Sequence, residues 1–108
     1  QAILVDGTLY LSGQIALDPK TMEMDNSSIE IETVRVLNNI NSVLEEANFS
    51  FNDIIKTTIF LTSMEDFTVV NEIYGKRFEK ESAPARETIE VSGLPKNARI
   101  EISVIAKK

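Results

Sequence analysis

The segment DIIKTTIFLTS, residues 53–63, sets the framework around which the other elements can be placed. It is rich in β-branched residues, which suit the pleated surface of a sheet, and it predicts a strand from about 54 to 62. Alternation divides its apolar side chains into Ile55, Ile59 and Leu61 on one side and Ile54 and Phe60 on the other. A strand that is apolar on both sides predicts a sheet that is covered on both sides.

One helix is predicted before this strand in the chain and a second helix after it. Before it, Ser27 and Glu30 match a capping box, apolar residues then recur at three- and four-residue steps, and Asn48 can take the left-handed conformation that ends a helix. After it, Ser63 and Asp66 predict the start of a second helix that continues to about residue 80. One face of this second helix is predicted to carry Phe67, Val70, Asn71, Tyr74 and Phe78.

The remaining elements are predicted strands. PARETIEV (84–91) begins with a proline that ends any helical continuation, and RIEISVIA (about 99–106) follows the turn SGLPKNA. At the start of the chain, strands over about 2–5 and 8–13 flank Asp6-Gly7, a dipeptide that favours a tight hairpin. The order ββαβαββ predicts one α+β domain over residues 1–108, a sandwich of a mixed sheet with two helices on one face.

Two helices cover only one face of such a sheet. In the last strand Ile100, Ile102 and Val104 oppose Ile105, so apolar groups again occur on both sides. A sheet face with large apolar groups is seldom left in water. The pattern therefore predicts a homo-oligomer, with any site on the second face lying in or beside a subunit interface.

Composition excludes several classes of function. The chain has 108 residues and a formal net charge of -6, which disfavours a sequence-independent grip on nucleic acid phosphates. It contains neither Cys nor His, so there is no disulfide, thiolate nucleophile, imidazole base or usual zinc site, and no metal ligands are assigned. No apolar run approaches the length that crosses a bilayer. We expect a soluble, cytoplasmic protein without a membrane or nucleic acid partner.

Arg86 is the first candidate functional residue, because arginine is costly in a half-buried strand. Alternation places Thr88 and Glu90 on its side of the strand, and Glu101 and Ser103 join them if the apolar side chains of both strands lie under the helices. From the strand pattern alone, the simpler interpretation is that Arg86 and Glu101 form an interface ion pair or lie on a solvated face.

Ser12-Gly13, at the end of the second strand, is the other candidate. Glycine there permits a bulge or a close backbone approach to a ligand. An ordinary strand end explains the same dipeptide.

Several segments together resemble the Rid family, the reactive intermediate deaminases, and in particular its RidA-like branch. These segments are SGQIALDPKT (12–21), NNINSVLEEANFSFNDIIKTTIFLTSMEDFTVVNEIY (38–74), PARETIEV (84–91) and LPKNARIEISVIA (94–106). The resemblance implies a chorismate-mutase-like fold and a homotrimer with clefts between subunits. It also implies hydrolysis of 2-imino or 2-enamino acids to 2-keto acids and ammonia, without a cofactor.

The resemblance assigns roles to single positions. The family's arginine after Pro-Ala corresponds to Arg86 and its glutamate near the end of the chain to Glu101, which implies that these two are catalytic. Its Ser-Gly pair corresponds to Ser12 and Gly13, and its cleft asparagine to Asn71.

Thr88 stands where many members of the family have cysteine, and it is expected to line the pocket with Ser12, Gly13 and Asn71. The tyrosine that the family carries just before Gln-Ala does not occur in this sequence, which begins at Gln1.

The implied chemistry suits these residues. A guanidinium fork binds a carboxylate through two charge-assisted hydrogen bonds, so Arg86 is the expected anchor of a small-molecule substrate. Glu101 is the expected group that orients the attacking water and handles protons. Two alternatives remain at this stage: a noncatalytic binder of small carboxylates that uses the same cleft, and a ribonuclease or translation inhibitor.

Overall fold

The computed structural model describes residues 1–108 as a five-stranded sheet with two helices packed on one of its faces. In chain order the elements are β1 (Ala2–Val5), β2 (Thr8–Leu11), α1 (Ile29–Glu46), β3 (Ile54–Leu61), α2 (Phe67–Gly75), β4 (Ala85–Glu90) and β5 (Ile100–Lys107). The strands lie in the order β1-β2-β5-β3-β4, and all neighbours are antiparallel except β3 and β4. The predicted ββαβαββ order and the α+β class with a mixed sheet are confirmed.

The helix boundaries differ slightly from those predicted. Helix α1 is capped by Ser28, whose Oγ accepts a hydrogen bond from the N–H of Ile31 at 3.1 Å, so the predicted cap at Ser27 was wrong by one residue. Helix α2 ends at Gly75 and not near residue 80. The predicted apolar face nevertheless extends further, because tight turns after Gly75 bring the Phe78 ring to 4.8 Å from the ring of Tyr74.

A β-bulge changes the alternation in β3. The register with β5 shifts between Ile54 and Lys56, so Ile54 is buried together with Ile59 and Leu61, whereas Ile55 is 50% exposed. The prediction that Ile55 shares a side with Ile59 and Leu61 was therefore wrong. Alternation holds only while the strand remains regular, and one inserted residue reverses it.

The core lies between the helices and one sheet face. Helix α1 contributes fully buried Leu37, Ile40 and Leu44, and these side chains belong to one cluster with Ile59 of β3 and Ile102 of β5. The central strands β3 and β5 thus present their apolar sides to the helices, as predicted for the last strand. Neither helix has the length and apolar character that a membrane crossing requires.

The opposite sheet face carries no helix and retains exposed apolar side chains. Pairing places Ile3 beside Tyr10 and Tyr10 beside Ile105 on this helix-free face, and it places Phe60 beside Ile89. Ile3, Tyr10 and Ile89 are exposed, and Phe60 and Ile105 are half-buried. An apolar surface of this kind is what the sequence suggested as a contact between copies of the chain.

Candidate active site

Arg86 lies on the helix-covered side of the sheet, at its outer edge. It pairs with Thr57 in the parallel β3–β4 ladder, and paired residues share a face, so Arg86 projects toward α2. Its Nη1 donates a hydrogen bond to Oδ1 of Asn71. The guanidinium carbon lies 5.3 Å from the ring centroid of Tyr74 and 5.8 Å from that of Phe67, within the range of cation–π attraction. Arg86 remains exposed to solvent beyond these contacts.

Helix α2 supplies all three of these neighbours from one face. Phe67, Asn71 and Tyr74 are spaced by four and three residues, which places them one above another on a helix. Their spacing in the sequence predicted that they share one face of the helix, but a site role was predicted only for Asn71. The side-chain amide oxygen of Asn71 accepts the hydrogen bond from Arg86, so the immediate contact of Asn71 is with the guanidinium.

Glu101 lies on the other side of the sheet. It pairs with Phe60 on the helix-free face and is half-buried. The Cα of Gly13 approaches it so closely that a β-carbon at that position would lie 2.7 Å from Cδ and 3.0 Å from Cγ of Glu101. No side chain fits there without displacing the carboxylate, so the close backbone approach that glycine permits at position 13 is an approach to Glu101.

A bulge in the chain after β2 brings Gly13 to this position. Tyr10 pairs with Ile105, but four residues later Gln14 pairs with Ile102, so one side has an extra residue between the two pairs. Ser12 and Gly13 occupy this irregular segment, so β2 ends at Leu11 and the predicted extension of the strand to residue 13 was wrong. The N–H of Ser12 donates to the carbonyl oxygen of Gln1 at 2.8 Å, which keeps the segment beside the start of β1.

The predicted grouping of Arg86, Thr88 and Glu90 with Glu101 and Ser103 on one face was wrong. Thr88 and Glu90 pair with the buried residues Ile59 and Leu61 and therefore lie with Arg86 on the helix side, whereas Glu101 and Ser103 lie on the helix-free face. The error has a physical cause: β4 is an edge strand whose apolar Ile89 faces away from the helices and is 41% exposed.

The candidate residues thus form two groups within one chain. We call Asn71, Arg86 and Thr88 the arginine half-site, and Ser12, Gly13 and Glu101 the glutamate half-site. The sheet separates the two half-sites. None of the three surface hollows of the chain, about 240 to 400 Å³ in volume, is lined by Arg86 or Glu101. A single chain therefore provides no closed pocket around either group.

Both half-sites carry an unpaired charge. The four ion pairs of the chain involve Arg35, Lys56 and Arg99 as cations, and neither Arg86 nor Glu101 has an oppositely charged partner within 4.0 Å. No cluster of three or more acidic side chains is present that could hold a metal ion. The guanidinium of Arg86 is therefore free to receive a carboxylate, and the carboxylate of Glu101 is free to receive a water molecule or a cation.

Burial affects the tyrosine beside Arg86. The loss of solvent raises the pKa of Tyr74, while its hydrogen bond to Thr57 and the charge of Arg86 act in the opposite direction. The phenol is consequently neutral across the physiological range and presents an uncharged ring to the guanidinium. Nothing in the sequence links Thr57 or Tyr74 to Arg86, since only the β3–β4 pairing brings Thr57 beside the arginine and only the packing of α2 on the sheet brings Tyr74 there.

The fold is that of a known class of α+β proteins. The family model described as "Endoribonuclease L-PSP" matches residues 1–108, and the chain belongs to this family, which includes the Rid proteins.

Individual relatives are similar over almost the whole chain. A RutC family protein of Synechocystis is 46% identical over 98% of this chain and 82% of its own length. The human 2-iminobutanoate/2-iminopropanoate deaminase is 42% identical over 98% of this chain and 77% of its own length. The crystal structure of the Rid family protein YyfA from Yersinia pestis has a TM-score of 0.96 at 46% identity, covering 100% of this chain and 86% of that one.

Proposed function

We propose that this protein is a hydrolytic deaminase that converts reactive 2-imino and 2-enamino acids to 2-keto acids and ammonia. The observation that carries the proposal is the exposed guanidinium of Arg86, which is oriented by Asn71 and has no carboxylate partner within the chain. The similarity to a human 2-iminobutanoate/2-iminopropanoate deaminase supports the same chemistry.

Arg86 anchors the substrate in this proposal. A 2-imino acid carries a carboxylate next to the reactive carbon, and the planar guanidinium binds it through two parallel hydrogen bonds. One guanidinium nitrogen is already bonded to Asn71, which restricts rotation of the fork before the substrate arrives. Binding then positions the imine carbon at a defined distance from the anchor, which is the main requirement for a reaction that also proceeds in water.

Glu101 performs the proton transfers. Its carboxylate accepts a proton from a water molecule as the water oxygen adds to the imine carbon. With the imine entering in its protonated form, this addition gives a neutral carbinolamine, and Glu101 returns the proton to the carbinolamine nitrogen. The carboxylate then accepts the proton of the carbinol hydroxyl as the carbon–nitrogen bond breaks, which releases the 2-keto acid and ammonia, and the ammonia takes up that last proton as ammonium. Ser12 and Gly13 lie beside Glu101 and Thr88 lies on the side of Arg86, so they line opposite parts of the proposed pocket. No cofactor enters this sequence of steps.

The opposite orientation of the two half-sites requires a second copy of the chain. We propose that the arginine half-site of one subunit meets the glutamate half-site of its neighbour, in a homotrimer with one cleft at each interface. The exposed apolar side chains of the helix-free face, including Ile3, Tyr10 and Ile89, support contact between copies on the side that carries Glu101. The proposed location is the cytoplasm.

A coupled assay tests the activity. Threonine dehydratase supplies 2-iminobutanoate, and the added protein is expected to accelerate release of the 2-keto acid. Arg86→Ala and Glu101→Gln should each abolish the acceleration, whereas the charge-matched surface variants Lys20→Ala and Glu46→Gln should not. Absence of acceleration by the wild-type protein would refute the proposal.

The same wild-type and variant proteins distinguish two alternative functions from the deaminase. A noncatalytic binder would gain thermal stability from small carboxylates without turnover. The description of the family model favours a test for ribonuclease activity, although the chain has no His and a net charge of -6. RNA cleavage that is lost in the Arg86 and Glu101 variants would support a ribonuclease that uses this site, and cleavage that persists in them would indicate a contaminant.

A further inference from the structure

A buried pair of hydroxyl groups lies directly beneath Arg86. The OH of Tyr74 donates a hydrogen bond to Oγ1 of Thr57 at 2.9 Å, and the two side chains are 6% and 0% exposed. Thr57 is also the residue that pairs with Arg86 across the β3–β4 ladder. The hydrogen bond therefore joins α2 to β3 at the point where the arginine side chain leaves the sheet.

This hydrogen bond fixes the Tyr74 ring. A tyrosine side chain has few rotatable bonds, and anchoring its hydroxyl end in the core leaves one orientation for the ring. The ring face lies 5.3 Å from the guanidinium carbon of Arg86. Because burial raises the pKa of Tyr74, the phenol keeps its proton and continues to donate to Thr57.

Arginine needs such support more than a shorter side chain would. Its long side chain loses rotamer freedom on binding a ligand, and a guanidinium that is already oriented loses less. Asn71 holds one edge of the guanidinium through Nη1, and the rings of Tyr74 and Phe67 lie within cation–π range of it. The other two guanidinium nitrogens of Arg86 have no hydrogen-bond partner in the chain.

We propose that Tyr74 and Thr57 are positioning residues that set the orientation of the Arg86 guanidinium and thereby the strength of carboxylate binding. The identity of the ligand as a carboxylate rests on the proposed function, whereas the effect of Tyr74 and Thr57 on the orientation of the guanidinium does not depend on that function. Tyr74 acts through Arg86 and touches no substrate. Its loss should weaken binding of the carboxylate while the chemical step on bound substrate changes little.

Binding measurements distinguish the contribution of the Tyr74 ring from that of the Tyr74 hydroxyl group. The probe is 2-oxobutanoate, titrated calorimetrically into wild type, Tyr74→Phe and Tyr74→Leu. We expect Tyr74→Leu to raise Kd and KM by about 2- to 30-fold, the range of a lost cation–π contact, with kcat less affected. Tyr74→Phe keeps the ring and should show a smaller rise. The core variant Leu44→Ala is the control, since it should lower Tm without changing Kd.

The orientation of the guanidinium can be measured without any ligand. Protons above an aromatic ring resonate upfield, so the Nε proton of Arg86 should be shifted upfield in wild type and Tyr74→Phe and should move downfield in Tyr74→Leu. The signal is assigned by its disappearance in Arg86→Lys. An unchanged Nε proton in Tyr74→Leu would overturn the inference, as would a Kd equal to that of wild type.

Failure of the proposed function gives a different result. If wild type neither binds 2-oxobutanoate nor accelerates imine hydrolysis, the deaminase proposal is wrong, and the nuclear magnetic resonance measurement still decides whether Tyr74 orients Arg86.

Discussion

Mixing of two inactive variants tests whether the site is shared between subunits. Arg86→Ala removes the arginine half-site and leaves Glu101 intact, and Glu101→Gln does the reverse. Within one chain the two residues face opposite sides of the sheet. If a site combines Arg86 of one subunit with Glu101 of the next, assemblies that contain both variants hold some sites in which both groups are wild type.

The expected activity follows from the number of such sites. In a random one-to-one mixture each half-site is intact with a chance of about one half, so about one quarter of the interface sites are complete in a closed ring of subunits. A site formed within a single chain would give no active sites at all from this mixture.

A second mixture of variants gives an independent measure of the fraction of complete sites. Wild type mixed one-to-one with the double variant Arg86→Ala/Glu101→Gln should show about one quarter of full activity if sites are shared between subunits, but about one half if each chain holds a complete site. The variants are co-expressed at equal levels with different affinity tags, co-purification of a small sample through both tags shows that the chains have mixed, and 2-keto acid release is measured on the whole unselected population, to which the values of one quarter and one half apply. Mixed assemblies of the two single variants without activity would refute the shared site.

Three further variants test other parts of the structure. Gly13→Ala places a β-carbon where Glu101 lies, so we expect a large loss of kcat with little change in Tm, and an unchanged kcat would contradict the close packing. Arg99→Leu leaves the fully buried Glu32 without its charged partner and should lower the free energy of unfolding by about 3 kcal/mol in urea titrations, whereas a neutral effect would show that the pair is dispensable. Ile89→Lys puts a charge on the helix-free face and should dissociate the assembly, which light scattering would record as a lower molecular mass. An unchanged mass would show that Ile89 does not lie in an interface between subunits.

Local features of the chain predicted the elements well. Asp6 and Gly7 adopt positive φ angles of 48° and 80° in the hairpin, and Asn48 ends α1 with a φ of 64°. The helical spacing of Phe67, Asn71 and Tyr74 correctly placed them on one face of α2. These outcomes depend on interactions between residues close in sequence, which the sequence itself displays. The resemblance that the sequence carries also led correctly to the family.

Long-range pairing decided how the candidate residues are grouped. Alternation within β4 shows that Arg86 and Thr88 share a side, and alternation within β5 shows the same of Glu101 and Ser103, but neither pattern says which side. The bulge in β3 and the position of β4 at the sheet edge are set by contacts across strands. Which candidate residues share a side within one strand was therefore readable from the sequence, whereas their division between two faces of the sheet was not. Which face a strand presents to the helices depends on its register with the neighbouring strands and on which side of the sheet the helices cover, and both are properties of the assembled sheet.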